Sequence, residues 1–276
     1  MSRLFMSVAL FAVCNSPLWA GGIFVTGHDS DFHGYQGGNT AGAQHIIQQG
    51  LAFATNNNVS NVLLVTDLTN PGVGYSDPRL GLTAAGITYS VADDGTAGGS
   101  VLNLQTVNFS NYSAIVVASD FGGWLRQSEL NILDSRSGDL VNYLNGGGGL
   151  VAFAESGAPY GLTTHGEFGF LPFLVTSVNK NENEVGNTLT AFGASLGLTN
   201  ADVNGNASHN IFTGTGGMHT VDFDTQGQIL SLAYYGQINE HGAIPEPSTL
   251  VMSSIVFGLF AGLWACKRVK RTSPAA

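Results

Sequence analysis

The chain has 276 residues, of which 10% are charged, with nineteen acidic against nine basic side chains and a formal net charge of −10. That balance excludes nucleic acid and anionic membrane surfaces as partners of its bulk, because both require positive charge. The two cysteines, Cys14 and Cys266, lie at opposite ends. Disulfides, thiolate catalysis and Cys-ligated zinc are therefore excluded from everything between them.

In chain order, Arg3 precedes an apolar stretch, Leu4 to Val13, and then Pro17-Leu18-Trp19-Ala20. This basic, apolar and small-residue order predicts a secretory signal over residues 1–20, cleaved after Ala20 and passed through the Sec translocon. A lipoprotein reading through Cys14 would place bulky Val13 where a small residue is wanted. A signal anchor would need a longer apolar core. Residues 21–235 then read as an exported α/β domain.

Gly22–Thr26 predicts a first strand, and Ala43, Ile46, Ile47, Leu51 and Ala54 fall at helical spacing over 40–54. NVLLVT over 61–66 predicts a second strand, followed by a short helix near 79–85 and a third strand over 87–91. AIVVAS at 114–119 is a fourth and LVAFA at 150–154 a fifth, separated by a long helix over 127–144 that Gly146–Gly149 should end. Beyond Glu155 the pattern loosens. A strand over 171–178, a helix over 188–196 and a hairpin of 220–223 with 229–234 are expected. Strands so continuously apolar are buried on both faces, which predicts an open, mostly parallel sheet with helices on both faces in the order 3-2-1-4-5.

Residues 236–244 form a polar linker, and the chain ends on Pro245-Glu246-Pro247, an uncharged apolar run over 248–266, and Lys267-Arg268-Val269-Lys270-Arg271. The run would reach about 28 Å as a helix, the thickness of a bilayer's hydrocarbon core. It is expected to cross the inner membrane with the basic tail cytoplasmic and the preceding domain outside. The segment 245–271 resembles the PEP-CTERM sorting signal of Gram-negative bacteria. That resemblance implies processing by an exosortase at the PEP end, and a final location in the cell envelope or outside, in a biofilm matrix with extracellular polysaccharide as a candidate partner. An unprocessed single-span anchor is the alternative. With both ends removed, Arg79, Arg126, Arg136 and Lys180 are the basic residues left.

AIVVAS, the 124–144 segment with Gln127 opening its helix, NGGGGLVAFAES, and Ser208-His209-Asn210-Ile211 together resemble the flavodoxin-like, class I glutamine amidotransferase-like fold, including ThuA-like proteins. Asn210 stands where that fold's late His-Pro-Ile stretch has proline. Ser156 stands where amidotransferases carry a nucleophilic cysteine, which puts amidotransfer in doubt.

Ligands of open α/β sheets bind beyond the carboxyl ends of the strands. There this chain places His28, Asp29, Asp31 and His33, Asp67, Asp93-Asp94, Asp120, and Glu155-Ser156. Two imidazoles and two carboxylates within six residues are donors suited to a divalent metal, while Asp29 and Asp31 would equally hold turns through their side chains. Ser156, with Glu155 and with His165, His209 or His219 as base, is a serine-hydrolase alternative, although Gly157-Ala158-Pro159 is a poor start for the helix a nucleophile elbow needs. Trp124, Tyr160, Phe168, Phe170 and Phe173 are either core or a carbohydrate surface. The function expected is a non-catalytic binding domain, with a metal-dependent or serine hydrolase and a carbohydrate-binding module as alternatives.

Overall fold

Apolar runs too short for helices become strands, and their alternate residues reach opposite faces of one sheet. In the computed structural model, which describes residues 20–69, 77–120, 124–154 and 168–238, the elements are β1 (Gly22–Thr26), α1 (Ser30–His33), α2 (Thr40–Ala54), β2 (Val62–Val65), α3 (Pro78–Ala84), β3 (Tyr89–Asp93) and β4 (Leu102–Asn103). There follow β5 (Ala114–Val117), α4 (Gln127–Ser135), α5 (Ser137–Asn145), β6 (Gly149–Ala152), β7 (Val175–Asn183), β8 (Thr188–Leu189), α6 (Ala191–Ser195), β9 (Ala207–Thr215), β10 (His219–Phe223) and β11 (Ile229–Tyr235). The result is an α/β fold on an open, mixed, largely parallel sheet. Residues 1–19 of the expected signal, the segments holding Glu155, Ser156 and His165, and the expected sorting tail at 245–271 lie outside the described residues. Among the described residues no helix is long and apolar enough to cross a membrane.

Ile23, Val25, Leu63, Val65, Ile115, Val117, Leu150 and Ala152 point to one face, where α4 and α5 bring Leu130, Leu133, Leu140 and Leu144. Phe24, Val62, Leu64, Val116 and Val151 point to the other, against Ile46, Ile47 and Leu51 of α2 and Leu82 of α3. The period-2 alternation of the strands thus builds two cores, one per face. α2 takes the predicted boundaries because Asn39 Oδ1 accepts the Gly42 N–H at 3.0 Å and starts the helix.

The strand order differs from the expected one. It runs β4-β3-β2-β5-β6-β1-β11-β10-β8, with β9 paired to β11 and β7. β1 lies beyond β6, parallel to it, and takes β11 antiparallel on its other side from Gly22↔Tyr235 to Thr26↔Ser231. A strand apolar on both faces announces that it is interior but not which neighbours it takes, and the antiparallel β11 completes the burial of β1. The carboxyl ends of β1, β6 and β5 remain adjacent.

The single helix expected over 127–144 is two. Arg136 breaks it, with its Nη1 donating to Leu104 O at 2.5 Å and its guanidinium lying 3.8 Å over the Phe109 ring. Ser135, Ser137 and Gly138 around it are weak helix formers. The long strand β9 was visible in the sequence only as a His-Asn-Ile stretch.

Candidate functional site

β1 ends at Thr26, and the chain leaves the sheet through Gly27, His28 and Asp29. β9 crosses this exit: His209 N donates to Gly27 O at 2.7 Å, Asp29 N donates to Ala207 O at 3.3 Å, and His28 bridges Ser208 antiparallel. The approach is so close that a Cβ on Gly27 would sit 2.0 Å from Asn210 O. Neighbouring strand ends are tied to the same edge. Ser119, past β5, donates its N–H to Asp31 Oδ2 at 2.8 Å, Asp120 N donates to Ala154 O at 2.8 Å, and Ala154 N donates to His28 O at 3.4 Å. His28, Asp29, Asp31, Ser119, Asp120 and His209 are all buried in this layer.

His28 is held from both sides. Its Nε2 bonds Asp222 Oδ2 at 2.7 Å and its Nδ1 bonds Glu184 Oε1, which joins β1 to β10 and to the end of β7. Burial alone would lower the imidazole's pKa, but Glu184 and Asp222 outweigh it and push it up to about 10, so the ring is a cation. Both partners escaped sequence reasoning. Asp222 sits at an alternating position of a strand, where a polar residue reads as solvent-facing, and Glu184 lies in a polar run.

Asp31 accepts from Phe32 N at 3.1 Å as well as from Ser119 N. Burial, and then the Asp29 charge, push its carboxyl well above the usual range. For Asp29, burial acts in the same direction, but His209 wins and holds the carboxyl below its usual range. The two are 3.5 Å apart at His209 Nε2 and Asp29 Oδ2. Neither Asp29 oxygen has a hydrogen-bond partner. His33 Nε2 accepts from Ala207 N at 3.3 Å.

His28 therefore turns to Glu184 and Asp222 and His33 to Ala207 N, while Asp29 and Asp31 face each other beside Ser119. Among the described residues no group of three or more His, Cys, Asp or Glu converges as a metal site requires. The divalent-metal expectation for this loop does not fit its geometry, because its most basic donors already hold carboxylates and backbone amides.

A second acidic group forms beyond β2 and β3. Glu129 Oε1 accepts from Asp94 N at 3.1 Å and its Oε2 from Ser128 Oγ at 3.0 Å. Burial, with Asp67 and Asp94 adding their charges, pushes Glu129 up to about 7. Arg126 stands 3.7 Å from Asp67.

Of the aromatic residues offered as a carbohydrate surface, Phe168, Phe170 and Phe173 are core, and Tyr160 lies outside the described residues. Trp124 is buried at the carboxyl edge with a left-handed backbone at φ 62° and an indole N–H without a partner. Comparisons with family models, with curated proteins and with solved structures gave no match.

Proposed function

We propose that this chain is an exported α/β domain, sorted through its 245–271 signal, processed by an exosortase after crossing the inner membrane and left in the cell envelope or the matrix outside. Within it, we infer that the domain works by binding and not by turnover. The observation carrying this is the closure of the carboxyl edge: His28 engages carboxylates through both ring nitrogens, and both Asp31 oxygens accept backbone N–H groups. Groups so engaged fasten strand ends together and are poorly placed to receive a substrate. The finer fold reading, class I glutamine amidotransferase-like, draws support from His209 at the edge beside Asp29, while the place of β1 beyond β6 counts against it.

Mass spectrometry of the secreted chain, with and without exosortase, tests the sorting. Loss of 248–271 in the exosortase-positive form is expected, and an intact segment in the released protein would overturn it.

A hydrolytic reading has two observations of its own. Asp29 is a buried carboxylate held below its usual range by His209, beside Asp31, whose carboxyl is pushed well above it, a pair whose affinities for protons are driven apart as an acid and a base require. Trp124, at the same edge, holds a left-handed backbone conformation that bulky residues rarely adopt. A panel of nitrophenyl esters and glycosides decides between the two readings. Turnover abolished by Asp29→Asn at unchanged melting temperature establishes hydrolysis, and no turnover supports binding.

A further inference from the structure

The opposite, amino-terminal edge of the sheet carries an open cleft of about 690 Å³ at the end of α2, between the starts of β1 and β6 and the end of β11. Among the described residues no Asp, Glu, Lys, Arg or His side chain lines it. Its walls combine two rings, Phe53 and Tyr235, with the amides of Asn56, Asn57 and Asn58. Tyr235 is 60% exposed, an unusual state for a large ring at the end of an interior strand.

The rings continue beyond the cleft. Phe53 and Tyr235 meet edge to face with centroids 6.2 Å apart, His219 lies nearly parallel to Tyr235 at 6.1 Å, and Phe192 stacks on His219 at 4.7 Å. The amides are free because the backbone alone ends α2. Asn56 N donates to Phe53 O, and Asn57 N to Ala52 O at 2.7 Å, the bond that closes a left-handed helix stop. Asn56 and Asn57 hold φ of 50° and 63°. Glycine would adopt two successive left-handed positions at less cost, so side chains kept at both are kept at a conformational expense.

A cleft without a charged side chain offers little to a phosphate, a carboxylate or a metal cation, and the one positive charge that cleavage after Ala20 would leave, on the Gly21 nitrogen, is already engaged by Leu144 O at 2.8 Å. An amide-lined wall disfavours a wholly apolar ligand, which would leave those groups without partners. What remains is a ligand with an apolar face for the rings and many neutral groups that both donate and accept. Amides answer such groups through an NH₂ and a carbonyl on one side chain, and a sugar ring has this character: a C–H face and a rim of hydroxyls. We propose that this cleft binds a neutral carbohydrate, its ring packed on Tyr235 and its hydroxyls bonded to Asn56, Asn57 and Asn58.

The proposal rests on the binding reading above and is independent of how the chain is sorted. Isothermal titration of the purified protein with cellohexaose, maltohexaose, xylohexaose and an oligogalacturonate tests it. Binding of at least one neutral hexasaccharide at submillimolar Kd is expected, with little for the charged one. Tyr235→Ala should weaken it at least tenfold and Tyr235→Phe should retain it. Asn57→Gly should weaken it with melting temperature unchanged or raised, since glycine relaxes the left-handed backbone. Absence of binding by every neutral sugar, a preference for the acidic one, or undiminished binding by Tyr235→Ala would overturn it. Failure of sorting would instead appear in the mass of the secreted chain, with titration unaffected.

Discussion

Two buried side chains, His28 and Glu129, each tie stability to pH with a definite sign. His28 takes up its proton more tightly folded than unfolded, so its contribution is complete below about 6.5 and is lost as pH rises through about 10. Melting temperature should therefore fall between pH 7 and 10. His28→Gln should flatten that descent while costing about 3–5 kcal/mol at pH 7, because it leaves Glu184 and Asp222 buried without their cation. A wild-type curve flat from pH 7 to 10 would count against the clamp. Glu129 is also raised, but as an acid: its native form keeps a proton the unfolded chain gives up, so stability falls as pH climbs from about 4.5 through about 7. Glu129→Gln should stabilise the protein by about 1–3 kcal/mol at pH 8 and by much less at pH 5, measured by urea unfolding. His28 was legible in the sequence as a residue of interest and illegible in its role. Spacing within the 28–33 loop suggested that the loop's side chains act together, whereas their partners come from strands more than a hundred residues later.

Between elements, the decisive contact is the crossing of β9 over the exit from β1. Gly27→Ala would place a methyl group 2.0 Å from Asn210 O, and a destabilisation of about 1–3 kcal/mol is expected as β9 is forced away. Gly138→Ala in α5 is the control: its Cβ would meet nothing within 4 Å, and a gain of about 0.5–1 kcal/mol is expected from helix propensity. Equal effects of the two substitutions would remove the steric argument. Elements with a period of their own were read well, α2 and β1 to the residue and β2 and β5 nearly so. The break at Arg136 was not, because its cause is Leu104 O and the Phe109 ring, which no local pattern contains.

For the whole molecule, the α/β class and the two-sided burial follow from composition of the strands, while strand order depends on pairing energies that a list of apolar runs does not carry. The carbohydrate reading followed a similar course: Phe168, Phe170 and Phe173, close in sequence, are core, while the exposed His219 and Tyr235 of β10 and β11 meet the partly buried Phe53 and Phe192 of α2 and α6. The position of β1 has a kinetic consequence. Its neighbours are β6, from the middle of the domain, and β11, its last strand. The first strand to be made therefore waits for the last one before its pairing is complete, and contacts of such long range slow folding. On the export route proposed above, that delay is an advantage, since a domain whose opening strand closes last cannot seal prematurely while the chain is still being threaded.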